Sequence, residues 1–182
     1  MSCGTTLLGF FRYFQRAATG RPTGRSRYEG HLTPATREQI YQALFDLTAS
    51  LSPSVLKTRA RVIKHEADVD REHQPALFQV QVGEGGDQLT GTPERRLWDV
   101  WWVIYTNRGE SDQALPSTDL NNVLDALDGV LAPPAGDDAQ TLGGLVVWAR
   151  RSGRTEISEA PLGQQAVTIY PIQILVPVDF TC

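Results

Sequence analysis

Apolar positions first recur at helical spacing at Ile40, Ala43, Leu44, Leu47 and Leu51, while Arg37, Glu38, Gln42 and Asp46 fall largely on other faces. That pattern predicts an amphipathic helix. Its start is marked twice: Thr33-Pro34 offers an N-cap with proline at the first helical position, and Thr36 with Gln39 forms a capping-box pair. Ser52-Pro53 ends it. The period then drops to two. Thr58 to Lys64 sets Ala60 and Val62 against Arg59, Arg61 and Ile63, and Ala76 to Val82 sets Phe78, Val80 and Val82 against Leu77, Gln79 and Gln81. Both segments are predicted strands, and Gly83 to Glu94 is expected to be a loop.

The most apolar stretch, Arg96 to Thr106, is rich in β-branched and aromatic residues and predicts a central strand apolar on both faces. Alternation puts Trp98 and Trp102 on one face and Trp101 on the other, a division between the core and a subunit contact. Pro116-Ser117 caps a second helix, with Leu120, Val123, Leu124, Leu127 and Leu131 on one face and Gly129 blurring its end. A loop with Pro133, Pro134 and Gly136 leads to a strand at Leu145 to Ala149, and a last strand runs from about Ala166 to Val176. Helix, three strands, helix and two strands imply an α+β fold: a mainly antiparallel sheet of about five strands with two helices packed on one face.

Length and composition keep this within one ordinary domain. The chain has 182 residues, 41% hydrophobic and 21% charged, with a formal net charge of -4, in the range of globular domains. No apolar run reaches the length of a membrane-spanning helix. Cys3 and Cys182 lie at opposite ends, where neither a metal site nor a disulfide framework can be built. The charge is unevenly spread. Residues 1–31 carry Arg12, Arg16, Arg21, Arg25 and Arg27 against Glu29, a net of +4; this leaves 12 basic and 20 acidic residues, a net of -8, for 32–182. The expected organisation is a basic, flexible arm over 1–31 and a domain over 32–182. Within the arm, residues 7–18 could form a short amphipathic helix followed by a Gly/Pro/Arg/Ser linker. Phe10, Phe11, Arg12, Phe14 and Arg16 are its candidate contacts. A targeting peptide, a surface anchor, a partner- or nucleic-acid-binding arm and a plain extension all stay open at this point. Arg12 interrupts the apolar run and disfavours a secretory signal.

Catalytic patterns fail on their own chemistry. Gly86 to Gly91 has the glycine spacing of a phosphate loop, but Thr92 stands in place of the lysine and Pro93 leads into a strand instead of a helix. His65, Glu66, Asp68, Asp70, Glu72 and His73 crowd into nine positions without zinc-protease spacing. Read as a calcium loop, the same run puts His73 where glycine belongs and Gln79 where the bidentate glutamate belongs. A solvated connection accounts for it better. There is no Gly-x-Ser-x-Gly elbow, only His65 and His73 could assist a nucleophile within the body, and Asp119, Asp125 and Asp128 fit the wet side of the second helix. The four tryptophans could stack on bases, but the acidic body opposes phosphate binding. The expectation is no enzyme, with no catalytic, metal or cofactor residues and no cofactor.

Several phrases together carry a resemblance: Arg37-Glu-Gln-Ile-Tyr-Gln-Ala-Leu-Phe-Asp-Leu, Gln74-Pro-Ala-Leu-Phe-Gln-Val, the strand Leu97 to Tyr105, and Leu120-Asn-Asn-Val-Leu-Asp-Ala-Leu-Asp. Gln140-Thr-Leu-Gly-Gly-Leu and Gly163-Gln-Gln-Ala-Val-Thr-Ile-Tyr-Pro-Ile-Gln-Ile-Leu-Val complete the set. Over about residues 33 to 178 the chain resembles the tail-terminator (tail-completion, lambda gene U type) proteins of long-tailed bacteriophages. The resemblance implies a structural virion protein made in the host bacterial cytoplasm. It would form a hexameric ring at the head-tail junction, terminating the tail tube and joining it to the head connector. The implied partners are other copies of the chain, the major tail tube protein and a head-completion or connector protein, with genomic DNA passing through the lumen unbound and no membrane. Other neck or minor tail components, or a nucleic-acid-associated adaptor using the arm, are the alternatives. Within the ring, the loops Gly83 to Glu94 and Ala132 to Gly144 are the candidate contacts, with Gly83, Glu84, Gly85, Gly86, Asp87, Gln88, Pro133, Pro134, Asp137 and Asp138 as interface residues, because partner-binding groups concentrate on projecting loops.

Overall fold

A computed structural model describes residues 35–87, 95–107, 116–158 and 165–177. Helix α1 spans Arg37–Leu47 and opens with the expected capping box. The Gln39 backbone N–H donates to Thr36 Oγ1, and the Thr36 N–H donates to Gln39 Oε1. A single 3₁₀ turn over Thr48–Ser50 follows, and Thr48 Oγ1 donates to the Phe45 carbonyl to close the helix end. Strands β1 (Thr58–Ala60), β2 (Ala76–Asp87) and β3 (Arg95–Asn107), helix α2 (Pro116–Leu131), and strands β4 (Trp148–Arg151), β5 (Glu156–Ser158) and β6 (Gln165–Pro177) complete the order.

The α+β expectation holds, with a six-stranded sheet ordered β1-β2-β3-β6-β4 and β5 paired to the remaining part of β6. Only β1 and β2 are parallel; all other pairings are antiparallel. Several boundaries differ from the sequence reading, among them β4, which starts at Trp148 and not at Leu145 and runs to Arg151. β1 stops at Ala60, and the next residue, Arg61, turns to Glu38 and Gln42 of α1. β2 continues through Gly83 to Asp87, because β3 keeps pairing with it down to Arg95. β5 is a strand of three exposed residues with no apolar alternation to announce it.

β3 pairs along its length on both sides, with β2 and β6. Its Trp98, Val100, Trp102 and Ile104 join one buried cluster with Ile40, Tyr41 and Leu44 of α1, Val123, Leu127 and Leu131 of α2, and Tyr170, Ile172 and Ile174 of β6. On alternate positions of the same strands, Ala76, Phe78, Val103 and Tyr105 form a second, smaller cluster closed by Val69. Val69 belongs to the His65–Gln74 connection, which makes two 3₁₀ turns, Glu66–Asp68 and Arg71–His73. Buried Gln74 fixes that connection by donating from Nε2 to the Val69 carbonyl.

A buried glutamine sits on the face of the main cluster. Gln79 is buried; its Nε2 donates to the Tyr41 carbonyl over 2.8 Å and its Oε1 accepts from Trp102 Nε1 over 3.1 Å. It thereby ties α1, β2 and β3 at one point and gives the buried Trp102 indole its hydrogen-bond partner. Replacing Gln79 by Ala orphans the buried Trp102 N–H, so urea unfolding should show a loss of about 1–3 kcal/mol, with Gln79→Glu recovering less than half of it. A loss under about 0.5 kcal/mol would mean that the tie is energetically idle.

Candidate functional site

The glycine-rich end of β2 is held by α1. Arg37 lies one residue beyond the N-cap, and from there its Nε reaches both carboxylate oxygens of Glu84 at 2.9 and 3.0 Å while Nη2 donates to Oε2 at 3.0 Å. Tyr41, one turn on, points its hydroxyl at the same carboxylate over 3.5 Å. The Tyr41 ring stacks on Trp98 at 5.2 Å, and the Arg37 guanidinium lies 5.9 Å above Trp98. The bidentate pair is exposed enough to contribute little net stability; its effect is to set where the strand end lies. Glycine is not demanded there by the backbone. Neither Gly83 nor Gly85 has a positive φ, and a Cβ at Gly83 would meet nothing within 4 Å. The glycines leave that part of the strand bare of side chains.

Of the residues expected at an interface, Gly83, Glu84, Gly85, Gly86 and Asp87 therefore lie in a strand and not in a projecting loop, while Gln88 falls outside the described residues. The loop between α2 and β4 matches its expectation. Pro133, Pro134, Asp137 and Asp138 are exposed on it, with the Asp137 N–H donating to the Pro134 carbonyl and Gly136 at φ +93. Phe10, Phe11, Arg12, Phe14 and Arg16 lie outside the described residues.

A residue with no expected site role, Gln140, organises that loop. Its Nε2 donates to the carbonyls of Val130 and Ala132, which α2 leaves open at its C-terminal end; its Oε1 accepts from Leu142 N–H, and its own carbonyl accepts from Ala149 N–H of β4 at 2.7 Å. Leu142, held at φ 52, is nonetheless buried in the main cluster. The phrase Gln140-Thr-Leu-Gly-Gly is thus a side-chain clamp followed by a left-handed turn, with Gly143 and Gly144 also at positive φ.

At the other side of the sheet Tyr170 donates its hydroxyl to Asp128, and Arg151 both pairs with Asp128 at 3.4 Å and lies 5.3 Å over the Tyr170 ring. Arg151 Nη2 also donates to Thr155. So Asp128 is partnered, not merely the wet side of α2, while Asp119 and Asp125 are exposed. Ligand atoms of Asp70, Glu72 and His73 lie within 4.8 Å of one another. All three side chains are exposed on one short turn, and among the described residues no further His, Cys, Asp or Glu joins them. The tryptophans divide as alternation requires: Trp98 and Trp102 are buried and Trp101 is 38% exposed. In one row with Trp101 stand half-buried Val80 of β2 and half-buried Pro171 of β6, while exposed Val82 is the unpaired residue of the bulge between Gln81 and Gly83. Among the described residues no helix is long and apolar enough to cross a membrane.

No family model matches the chain and no curated protein matches it. Solved structures do. A chain of the "virion of native gene transfer agent (GTA) particle" matches with a TM-score of 0.48 at 9% identity, covering 76% of this chain and 95% of that one.

Burial raises the Tyr41 hydroxyl to about 12, helped by the charge of Glu84 and its hydrogen bond. Burial, then the hydrogen bond to Asp128, raises Tyr170 as well. Folding favours the protonated form of both, so their contribution is complete below the unfolded tyrosine value near pH 10 and is lost as pH rises through the folded values. The denaturation midpoint should therefore fall above about pH 10, and Tyr41→Phe should flatten that fall. An identical alkaline slope in the Phe variant would exclude Tyr41 as its source.

Proposed function

We propose that this chain is a structural subunit of a phage-type particle, a ring-forming tail terminator at the head-tail junction with DNA passing through its lumen. The observation that carries this reading is the surface left over once the fold is complete. Trp101, Val82 and Ile63 are large apolar side chains exposed to water, and Trp101 lies on the sheet face of the smaller cluster, which no α-helix residue joins among the described residues. Exposed apolar groups so placed are suited to association. Four prominent polar groups serve the scaffold: Glu84 holds α1, Asp128 holds Tyr170, and Gln79 and Gln140 are internal ties.

Two further features support the same reading. The phrases that resemble tail terminators fall on scaffold elements: α1, the entry to β2, β3, α2, the Gln140 clamp and β6. α2 carries Asp119, Asp125 and Asp128 and no cation along its 16 residues. With Asp137 and Asp138 on the following loop it gives the body an anionic side that would repel DNA phosphates in a lumen. The tube protein and the connector would dock on the rims, with the Ala132 to Gly144 loop as the contact proposed for one of them. Mass photometry of the purified protein should give a closed ring of about six copies, and immunogold labelling should mark the neck of particles. Trp101→Ser should lower the assembled fraction at least tenfold while leaving the monomer's thermal midpoint within about 3 °C. A protein that stays monomeric at all concentrations and is absent from particles would overturn the proposal.

A further inference from the structure

β1 pairs only with Ala76 to Phe78 of β2. From Gln79 to Asp87 the outer side of β2 has no strand partner among the described residues. An edge of this length offers a row of unpaired backbone groups, which proteins ordinarily shield with prolines, lysines or a covering loop. β2 carries no proline or lysine in that stretch, whose sequence is Gln-Val-Gln-Val-Gly-Glu-Gly-Gly-Asp, and of the described residues Arg61 and Ile63 lie beside its Gln79 to Gln81 part. The bulge between Gln81 and Gly83 lies toward β3. Glycines within a strand that neither φ nor internal crowding requires mark a place where another backbone comes close, and Gly83 and Gly85 meet that description.

The opposite margin of the sheet is formed by β4 and β5. β4 is partly covered, because Gln140 bridges to Ala149. Among the described residues β5 pairs with β6 alone, and all three of its residues are exposed, Ile157 by 49%. Strand directions alternate along β2, β3, β6 and β5, so extending the sheet from one copy to the next sets β5 antiparallel to the following β2. The faces also agree. Ile157 shares a row with Thr168 and Ile104, on the face of the main cluster, and Gln79 and Gln81 turn to that same face opposite Trp102 and Val100. Where β1 ends, an open notch of about 250 Å³ is lined by Arg61, Ile63, Gln79, Val80 and Gln81, with room for a branched aliphatic side chain.

We propose that the chain joins to a second copy of itself head to tail, the β5 edge of one copy adding to the Gln79–Asp87 edge of the next with Ile157 seated in the notch. The contact is heterologous: its two sides are different surfaces, as a cyclic ring requires and a two-fold dimer does not. In register, β5 lies beside the rows of Ala76 to Phe78, so reaching the open rows shifts each copy along the strand direction. Such a stagger is what closed sheets need. This deepens the ring reading above and rests on it.

The test uses the full chain with Cys3→Ser and Cys182→Ser, carrying either Gln81→Cys or Ile157→Cys. Both positions are exposed, so neither change removes core packing. Under mild oxidation each variant alone should stay uncross-linked, and a mixture of the two should form a covalent dimer in at least half of the protein. Cross-linking of the Gln81→Cys variant with itself would mean a two-fold edge contact and overturn the proposal. Assembly by mass photometry without any mixed cross-link would overturn this contact and leave the ring standing. A protein that never assembles would overturn both.

Discussion

Burial of one side of β3 governs the structure. Trp98, Val100, Trp102 and Ile104 alternate with residues of the opposite face and are removed from water beneath both helices, and at about 25 cal/mol per Å² two indoles and two aliphatic chains outweigh any ion pair on this surface. Because β3 is paired with β2 from Arg95 to Tyr105 and with β6 from Arg95 to Asn107, that alternation also fixes its neighbours. A one-residue slip of β2 or β6 would turn Leu77 or Ile172 out of the core. The helices follow from the same constraint, since each has one apolar stripe and the row on β3 is the surface long enough to receive it.

Placing two tryptophans in a core obliges the fold to find partners for their N–H groups. Trp102 is satisfied by Gln79, and that need explains a glutamine at an otherwise apolar position of β2. Trp98 is not so served: its Nε1 and the hydroxyl of buried Thr168 lack hydrogen-bond partners among the described residues. Instead, Tyr41 and Arg37 stack over the Trp98 ring and converge on Glu84. The polar groups thus keep α1 in one register against β2 and β3, a specificity that nonpolar packing would leave loose.

Much of this was legible from spacing. The Thr36 and Gln39 pair, the stripe from Ile40 to Leu47, the alternation of β3 and the two-sided division of its tryptophans are local signals that tertiary structure had no reason to override. The misreadings share a cause: in each, a partner elsewhere decided the outcome. Gly83 to Gly86 read as a loop because glycine is a poor strand former, yet β3 supplies the pairing. Arg61 was counted in a strand, but Glu38 and Gln42 draw it away. Glu156 to Ser158 has no pattern of its own and is a strand only because β6 is longer than β4. Gln140 stood within a phrase quoted for its likeness to tail proteins, and nothing in its neighbours' hydrophobicity announces a side chain bonded to the carbonyls of Val130 and Ala132. Of the candidate contacts, Gly83 to Asp87 lie on a strand and not on the expected loop, while the arm contacts fall outside the described residues.

The Gln140 clamp has a thermodynamic consequence. A connection of this length ordinarily keeps many conformations, and a partner that binds it must suppress them at about 1–2 kcal/mol for each residue newly fixed. Here one amide, the Ala149 bond and buried Leu142 have restricted the segment during folding, and Pro133 and Pro134 restrict it further by chemistry alone. Whatever meets Asp137 and Asp138 therefore encounters a preorganised surface, and most of the ordering entropy is charged to folding, leaving more of the contact energy for binding.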